Sequence, residues 1–307
     1  MADLPLVSII TPSYNQVEFL EATILSVLNQ DYPHIEYLVI DGGSTDGSAD
    51  IIRRYEDRLA FWVSEPDRGQ SHAINKGLRR ATGDILSWLN SDDTLTAGAV
   101  RRAVTHLTGP NGVDVVYGRA NRIDSRGNHV RSPGDSSPEF GLHTVIAECV
   151  VTQPGAFWRR KIMERVGLLN EELHYVMDYE FWARMALAGA TFRRLDGAPV
   201  ANFRLSEDSK TVSQLDKSGL EKLALLDRLL ADPDLPRKLG LSPGEAARQA
   251  RRARALACLK VFNACSRRKG QRADAWRWFV RGVRLYPPVL LEKWRLPLAV
   301  LRDTARR

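Results

Sequence analysis

The first 118 residues alternate between short apolar runs and longer amphipathic stretches, and that alternation leaves few folds open. Residues 6–11, 35–41, 59–65, 84–90 and 113–118 are short, rich in Val, Ile and Leu, and read as buried strands. Between them, 17–30, 48–55, 70–81 and 95–107 read as helices, with Gly and Pro as punctuation. Strands of this kind, each followed by a helix, predict an α/β fold with a mostly parallel sheet flanked by helices. Ligands of such sheets bind beyond the carboxyl ends of the strands. Polar clusters stand there in this chain, at 11–15, 41–46, 65–69 and 90–93, and together they define one candidate site.

The rest of the chain is organised differently. Residues 114–131 look like a β-hairpin around Ser125-Arg126-Gly127-Asn128, 133–138 is a loop, and 153–158 precede a short helix at 161–166. Residues 178–188 form a helix with Met177, Phe181 and Met185 as an apolar stripe and Asp178 at its start. After about Ser206 the alternation stops, and 217–307 read as helices broken at Asp232-Pro233, Ser242-Pro243, Lys269-Gly270 and Pro287-Pro288. The expected division is therefore 1–214, with a first half of about 1–112 and a second of about 113–214, followed by a helical extension at 215–307.

Charge follows the same boundary. The net +7 is the sum of −6 in residues 1–214 and +13 in residues 215–307, so the two parts need separate explanations. With 44% hydrophobic residues the chain is globular rather than disordered. Cys149, Cys258 and Cys265 contain no CxxC pair and exclude a disulfide-dense scaffold; Cys258 and Cys265 fit one apolar helix face. The start lacks a basic and then apolar leader, and no run of 18 apolar residues occurs. A soluble, cytoplasmic-type protein is the expectation.

Four constellations carry candidate chemistry. Asp41-Gly42-Gly43-Ser44-Thr45-Asp46-Gly47 ends a strand and enters a helix. Its glycines permit close approach of a ligand and its carboxylates can accept hydrogen bonds, although Asp46 also suits a helix cap. The pattern is neither GxGxxG nor a P-loop, so a dinucleotide dehydrogenase or P-loop NTPase is unsupported. Asn90-Ser91-Asp92-Asp93 presents two adjacent carboxylates after a buried strand, hard oxygen ligands for Mg²⁺ or Mn²⁺ or else a cap for the helix that follows. In Asp67-Arg68-Gly69-Gln70, Arg68 can reach a phosphate or form a surface ion pair. Asp178, opening an apolar helix, is a candidate base whose pKa poor solvation would raise.

In order, Val7-Ser8-Ile9-Ile10-Thr11-Pro12-Ser13-Tyr14-Asn15, Asp41 to Gly47, Asn75-Lys76-Gly77, Asn90 to Asp93, and Met177-Asp178-Tyr179-Glu180 resemble the family 2 inverting glycosyltransferases over roughly residues 5–212. The resemblance implies a GT-A, Rossmann-like fold and transfer of a sugar from a nucleotide-sugar, usually a UDP-sugar, to a saccharide or lipid-linked acceptor. It implies that Thr11, Pro12, Tyr14 and Asn15 line the nucleotide pocket and that Asp41 hydrogen-bonds the base. Asp67 and Arg68 would lie near the ribose or diphosphate, beside Asn90 and Asp93. Asp92 would hold the divalent metal, Mn²⁺ or Mg²⁺. Asp178 would be the general base, and Gln153, Pro154 and Trp158 would shape the acceptor pocket.

The chain departs from that pattern in three places. Asn90 stands where many relatives have Asp, His72 replaces a frequent Asp, and Ser206 falls where relatives often carry His. Arg204 and Lys210 remain available to a phosphate. Two other classes compete: a nucleotidyltransferase, which would show a Gly-rich basic loop where Ser13-Tyr14-Asn15-Gln16 stands, and a non-enzymatic nucleotide- or nucleic-acid-binding protein using the basic tail. In that tail, Arg and Lys alternate with Leu, Val, Phe and Trp over 248–284. Such helices form a solvated cap or lie on an anionic membrane surface at the cytoplasmic face; no nucleic-acid reader motif is present, so no nucleic acid is expected.

Overall fold

The computed structural model describes residues 4–109, 111–130, 139–147, 149–205, 214–266 and 272–292. Ser206, Lys210 and the loop at 133–138 lie outside the described residues. The chain divides into two compact units, Met1–Phe140 with Val150–Ser206, and Gly141–Cys149 with Glu207–Arg307.

The first unit is built on a seven-stranded sheet of order β3-β2-β1-β4-β8-β6-β9. Its strands are β1 (Val7–Ser13), β2 (Ile35–Asp41), β3 (Phe61–Ser64), β4 (Ile85–Trp88), β6 (Val115–Gly118), β8 (Ala156–Arg159) and β9 (Phe192–Leu195). All run one way except β8, which pairs antiparallel with both β4 and β6. The helices are α1 (Leu20–Leu28), α2 (Ser48–Arg53), α3 (Gln70–Arg80), α4 (Ala99–Thr108), α5 (Arg160–Val166) and α6 (Met177–Leu187).

The period of two along each strand distributes side chains between two separate cores. Val7, Ile9, Val39, Ile85, Val116 and Phe157 face α1, α2 and α4 on one side. Ile10, Ile40, Leu86, Trp88, Val115 and Trp158 face α3, α5 and α6 on the other. Both faces are covered, which explains why the strands read as unbroken apolar runs. Gly77 lets α3 lie directly on β1, because a Cβ there would stand 2.5 Å from Ile10 Cγ2. Asn75, just before it, ties down a neighbouring loop through Leu169 N and O and the Glu171 carboxylate. The Asn-Lys-Gly motif is thus a packing device.

The hairpin expected at 114–131 forms only at its tip, where Ile123 and His129 make an antiparallel bridge and the Asp124 and Val130 N–H groups donate to the Asn128 and Arg122 carbonyls. Strand β6 already has β8 on one edge and β9 on the other, so no free edge is left for its successor. After Arg119 the chain leaves the sheet, and β7 (Ala120–Ile123) joins β10 (Ala201–Arg204) and β5 (Thr94–Leu95) in a separate three-stranded sheet. The turn between these short arms is held by Asp124, which accepts from the Arg126 and Asn128 N–H groups.

The second unit is helical: α7 (Leu215–Leu230), α8 (Leu235–Lys238), α9 (Pro243–Ser266), α10 (Arg272–Leu285) and α11 (Val289–Glu292). The long, alanine-rich α9 is central. Gly219 of α7 and Gly282 of α10 both meet its backbone closely, at the Ala257 and Ala255 carbonyls. Cys258 and Cys265 are both buried, but in two clusters rather than the one apolar face expected from their spacing: Cys258 with Leu223 and Ala257, Cys265 with Phe262 and Ala275. The 3-10 turn Leu142–Ile146 packs on the same helix and therefore belongs to this unit, although it lies far upstream in sequence. Among the described residues, no helix is long and apolar enough to cross a membrane.

The four aromatic rings Trp88, Trp158, Phe181 and Trp182 are fully buried and mutually packed, with Trp88 stacked on Trp182 at 5.5 Å between centroids. Trp182→Ala is expected to remove about 3–5 kcal/mol of stability, read as a lowered urea midpoint, with Trp182→Phe losing distinctly less.

Candidate active site

The site forms where β1, β2, β3 and β4 end. The loops after β1 and β2 are stitched to each other: Asn15 N donates to Ser44 Oγ (2.8 Å) and Thr45 N donates to Asn15 Oδ1 (3.0 Å). Asn15 holds a left-handed backbone, φ 51°, which Asn tolerates better than most residues. Asp46, just before the Gly47 N-cap of α2, accepts from Ser48 N, Ser48 Oγ and Val17 N. Burial alone would raise its pKa, but these hydrogen bonds carry it below the usual range.

Asp41 is completely buried. Its carboxylate accepts hydrogen bonds from Gly43 N (3.1 Å), Ser44 N (2.8 Å), Ser44 Oγ (2.5 Å) and Ser64 Oγ (2.6 Å), the last from its ladder partner on β3. It organises the glycine loop from within. Beside it, Gly42 lies against Asp67 and Tyr14: a Cβ at Gly42 would meet Asp67 Oδ2 at 2.5 Å and the Tyr14 ring at 3.3 Å. Tyr14 is 62% exposed. Asp67 Oδ1 accepts Gly69 N at 2.6 Å, holding a turn that Gly69 alone can make at φ 113°. Ser13 Oγ is buried at the same edge and has no hydrogen-bond partner among the described residues.

The 90–93 loop is gripped from three directions. Thr23 Oγ1 on α1 donates to the Ser91 and Asp93 carbonyls. Arg204 on β10 gives its backbone N–H to Asp93 Oδ1 (2.9 Å) and its Nε to the Asp92 carbonyl (2.9 Å), while Nη1 reaches the Asp124 and Ser125 carbonyls. Its guanidinium also lies over the Phe19 ring. Arg204 is thus committed to positioning the loop, not to a phosphate. The third grip is a chain of amides: Gln70 Nε2 donates to Asn90 Oδ1, Asn90 Nδ2 to Gln153 Oε1, and Gln153 Nε2 to the Trp88 carbonyl. Asn90 Nδ2 also approaches Asp93 Oδ2 at 3.4 Å. Asn90 must both donate and accept here, which a carboxylate could not do.

Asp93 is fully buried, and its carboxyl is pushed well up by that burial and by the neighbouring Asp92 charge. Asp92 is raised as well, chiefly by burial, against the pull of Arg204. Among the described residues no group of three or more His, Cys, Asp or Glu side chains could hold a metal. The adjacent pair nonetheless suits Mg²⁺ or Mn²⁺, which need only one or two carboxylates when a substrate phosphate supplies other ligands. With the Asp93 oxygens engaged, Asp92 is the side chain placed to take the cation.

Arg68 is exposed and ion-paired with Glu171 at 2.5 Å, and its backbone N–H donates to His72 Nδ1. Asp178 opens the first turn of α6, half-buried, one helical turn before the buried Trp182. Two expectations give way. Trp158 lies wholly inside the aromatic core, so it has no face for an acceptor. Thr11 is also fully buried, its hydroxyl paired with Tyr37 at 3.0 Å, and Pro12 is buried beside it. Of the β1 segment, only Tyr14 and Asn15 turn outward. Sequence reasoning missed Thr23, Ser64 and the positioning role of Arg204, because each acts through contacts remote in sequence.

Residues 8–167 match the family model for glycosyl transferase family 2. An uncharacterized glycosyltransferase of Mycobacterium tuberculosis is 34% identical over 190 residues, which span 61% of this chain and 71% of that protein. Two solved structures share the fold. TarS 1-349 of S. aureus, in complex with UDP-GlcNAc, has a TM-score of 0.66 at 18% identity and covers 91% of this chain and 82% of its own. The mannosyltransferase PcManGT of Pyrobaculum calidifontis, in complex with GDP-Man and Mn²⁺, has a TM-score of 0.63 at 19% identity, covering 96% and 88%.

Asp41→Ala would remove the acceptor of two backbone N–H groups and two hydroxyls at once. A loss of at least about 2–3 kcal/mol is expected in chemical denaturation, with Asp41→Asn less damaging because it keeps one acceptor oxygen.

Proposed function

The chain belongs to glycosyl transferase family 2, and from that premise we propose that it is a metal-dependent inverting enzyme that moves a sugar from a nucleotide-sugar, a UDP-sugar in the first instance, to a hydroxyl of a saccharide or lipid-linked acceptor in cell-surface polysaccharide or glycolipid synthesis. The observation that carries this reading is the adjacent carboxylates of Asp92, half-buried, and Asp93, buried, after β4, on the same sheet edge as the loops of Tyr14, Gly42 and Asp67. Adjacent carboxylates at such an edge suit a divalent cation, whose coordination a diphosphate completes.

In the reaction, the bond between the anomeric carbon and the diphosphate oxygen breaks with its electron pair leaving on oxygen. The acceptor oxygen forms the new bond from the opposite face, and the Asp178 carboxylate takes its proton. Asp92 would hold the metal, which when bound supplies positive charge against the departing diphosphate. Arg68 adds to this by exchanging Glu171 for a phosphate oxygen. That exchange is cheap, because an exposed ion pair contributes only about 0–1 kcal/mol. A diphosphate leaves without protonation, so one carboxylate base suffices, in contrast with the carboxyl pair of a glycoside hydrolase. Gln153, expected on the acceptor side, lies beside Asn90 with its amide bridging Asn90 and the Trp88 carbonyl.

The helical unit supports a location on an anionic membrane surface. The outer face of α10 presents Ala273, Trp276 and Val280 beside Arg277, Arg281 and Arg284, with Trp276 and Val280 each 42% exposed. Aromatic and apolar groups flanked by arginines suit the headgroup boundary of an anionic bilayer.

Nucleoside diphosphates and nucleotide-sugars are expected to raise the melting temperature in the presence of Mn²⁺ or Mg²⁺. Asp178→Asn should lower kcat by about 10²–10⁴-fold while leaving donor affinity unchanged, and Asp92→Ala should abolish the metal dependence of donor binding. Normal transfer by both variants would overturn the assignment. In vesicle sedimentation the full chain is expected to bind phosphatidylglycerol vesicles and not phosphatidylcholine vesicles, and Trp276→Ser with Arg281→Glu to release it. Retention by the altered chain, or preference for RNA over vesicles, counts against the membrane reading.

A further inference from the structure

This inference rests on the donor reading above and concerns which atom recognises the nucleobase. A carboxylate at a base-binding edge needs an oxygen that is both accessible and free to accept. Asp41 meets neither condition: it is fully buried, Oδ2 already takes three hydrogen bonds and Oδ1 a fourth. A carboxylate has about four lone-pair directions, and this one already receives four hydrogen bonds, three from its own loop and one from Ser64 on β3.

Asp67 meets both conditions. It is half-buried and arrives from the loop after β3 to lie over Gly42, where the absence of a side chain makes room for it. Oδ1 is held by the Gly69 N–H, which fixes the orientation of the group. Oδ2 is the atom directed at Gly42, next to the exposed Tyr14 ring, and among the described residues it takes no hydrogen bond. An aromatic face and an oriented, unsatisfied carboxylate oxygen therefore flank one glycine at the end of β2. The buried hydroxyl of Ser13, also without a partner among the described residues, lies at that same edge.

We infer that Asp67 Oδ2, seated in the space left by Gly42 and beside Tyr14, is the acceptor for the ring N–H of the donor's base, and that Asp41 serves only to hold the loop. The chemistry selects bases with a ring N–H flanked by carbonyl groups or an amino group, uracil and guanine. It rejects cytosine, whose corresponding ring nitrogen is itself an acceptor and would face the carboxylate oxygen. Rejection follows because two acceptors at hydrogen-bond distance repel and leave both unpaired.

The experiment measures dissociation constants of UDP, GDP and CDP by calorimetry with Mn²⁺ present, for the unaltered full-length chain and for Asp67→Asn, Gly42→Ala and Asp41→Asn. The unaltered chain is expected to prefer UDP or GDP over CDP by ~10-fold or more, the effect of a charge-assisted hydrogen bond. Asp67→Asn keeps the Oδ1 acceptor for Gly69 and can replace Oδ2 with an N–H donor. It should collapse that ratio or invert it towards CDP while the melting temperature stays near that of the unaltered chain. Gly42→Ala, which displaces the carboxylate without altering its charge, should also collapse the ratio. Asp41→Asn should lower the melting temperature and preserve the ratio. An unchanged ratio in Asp67→Asn, or its loss in Asp41→Asn alone, overturns the inference and leaves the donor reading standing. Failure of the unaltered chain to bind any of the three diphosphates overturns the donor reading, and this inference with it.

Discussion

Trp88 and Trp182 stack face to face in the middle of the larger core, and the placement of the candidate chemistry depends on that contact. Trp88 is the last residue of β4, four positions before Asp92. Trp182 is on α6, four positions after Asp178. Trp158 and Phe181 pack around them in edge-on and tilted contacts, so the helix can neither slide nor rotate without breaking several ring contacts at once. A rigid aromatic core thereby relates the carboxylates at the end of a strand to the carboxylate at the start of a helix. The rings bear no chemistry themselves. Their work is to make the distance between two chemical groups a property of packing.

The second constraint is electrostatic. Asp92 and Asp93 are adjacent and desolvated, a costly arrangement that the surrounding residues hold in place. Arg204 contributes mainly through directional bonds to main-chain carbonyls and to Asp93, with its charge only partly offsetting the pair. Asn90 completes the grip as a neutral hub. An aspartate at that position would lose the donor that reaches Gln153 and would place a third negative charge beside two that already resist ionisation. The amide is therefore consistent with the site as built, and the departure from the common acidic pattern carries its own physical reason.

Much of the first unit was legible because its signals are local. Helical and strand periods depend on neighbours a few residues apart, and β2, α2 and α3 begin where apolar spacing and turn residues put them. Burial of both Cys258 and Cys265 on one helix was legible for the same reason. The hairpin was cut back to its tip at 122–130 because pairing is a competition between edges: β6 had no edge left once β8 and β9 had taken both. Thr11 and Trp158 failed differently. Their positions near strand ends were right, but which way a residue faces at the end of a strand depends on layers added later by distant helices.

What the amino-acid sequence determined by itself was the α/β alternation, the polar clusters at four strand ends, the acidic pair after β4 and the charge division between body and tail. These follow from short-range spacing and residue chemistry, which survive without knowledge of partners. Only the tertiary structure decided that Asp41 is buried with four hydrogen-bond donors while Asp67 stays half-buried beside Gly42, that Arg204 is spent on the 90–93 loop, and that residues 141–149 join the helical unit. The reason is that a carboxylate's role depends on how many of its lone pairs are already taken. For Asp41 that count includes a donor brought from another strand, Ser64, once the sheet has formed, whereas Asp67 keeps only its local bond from Gly69.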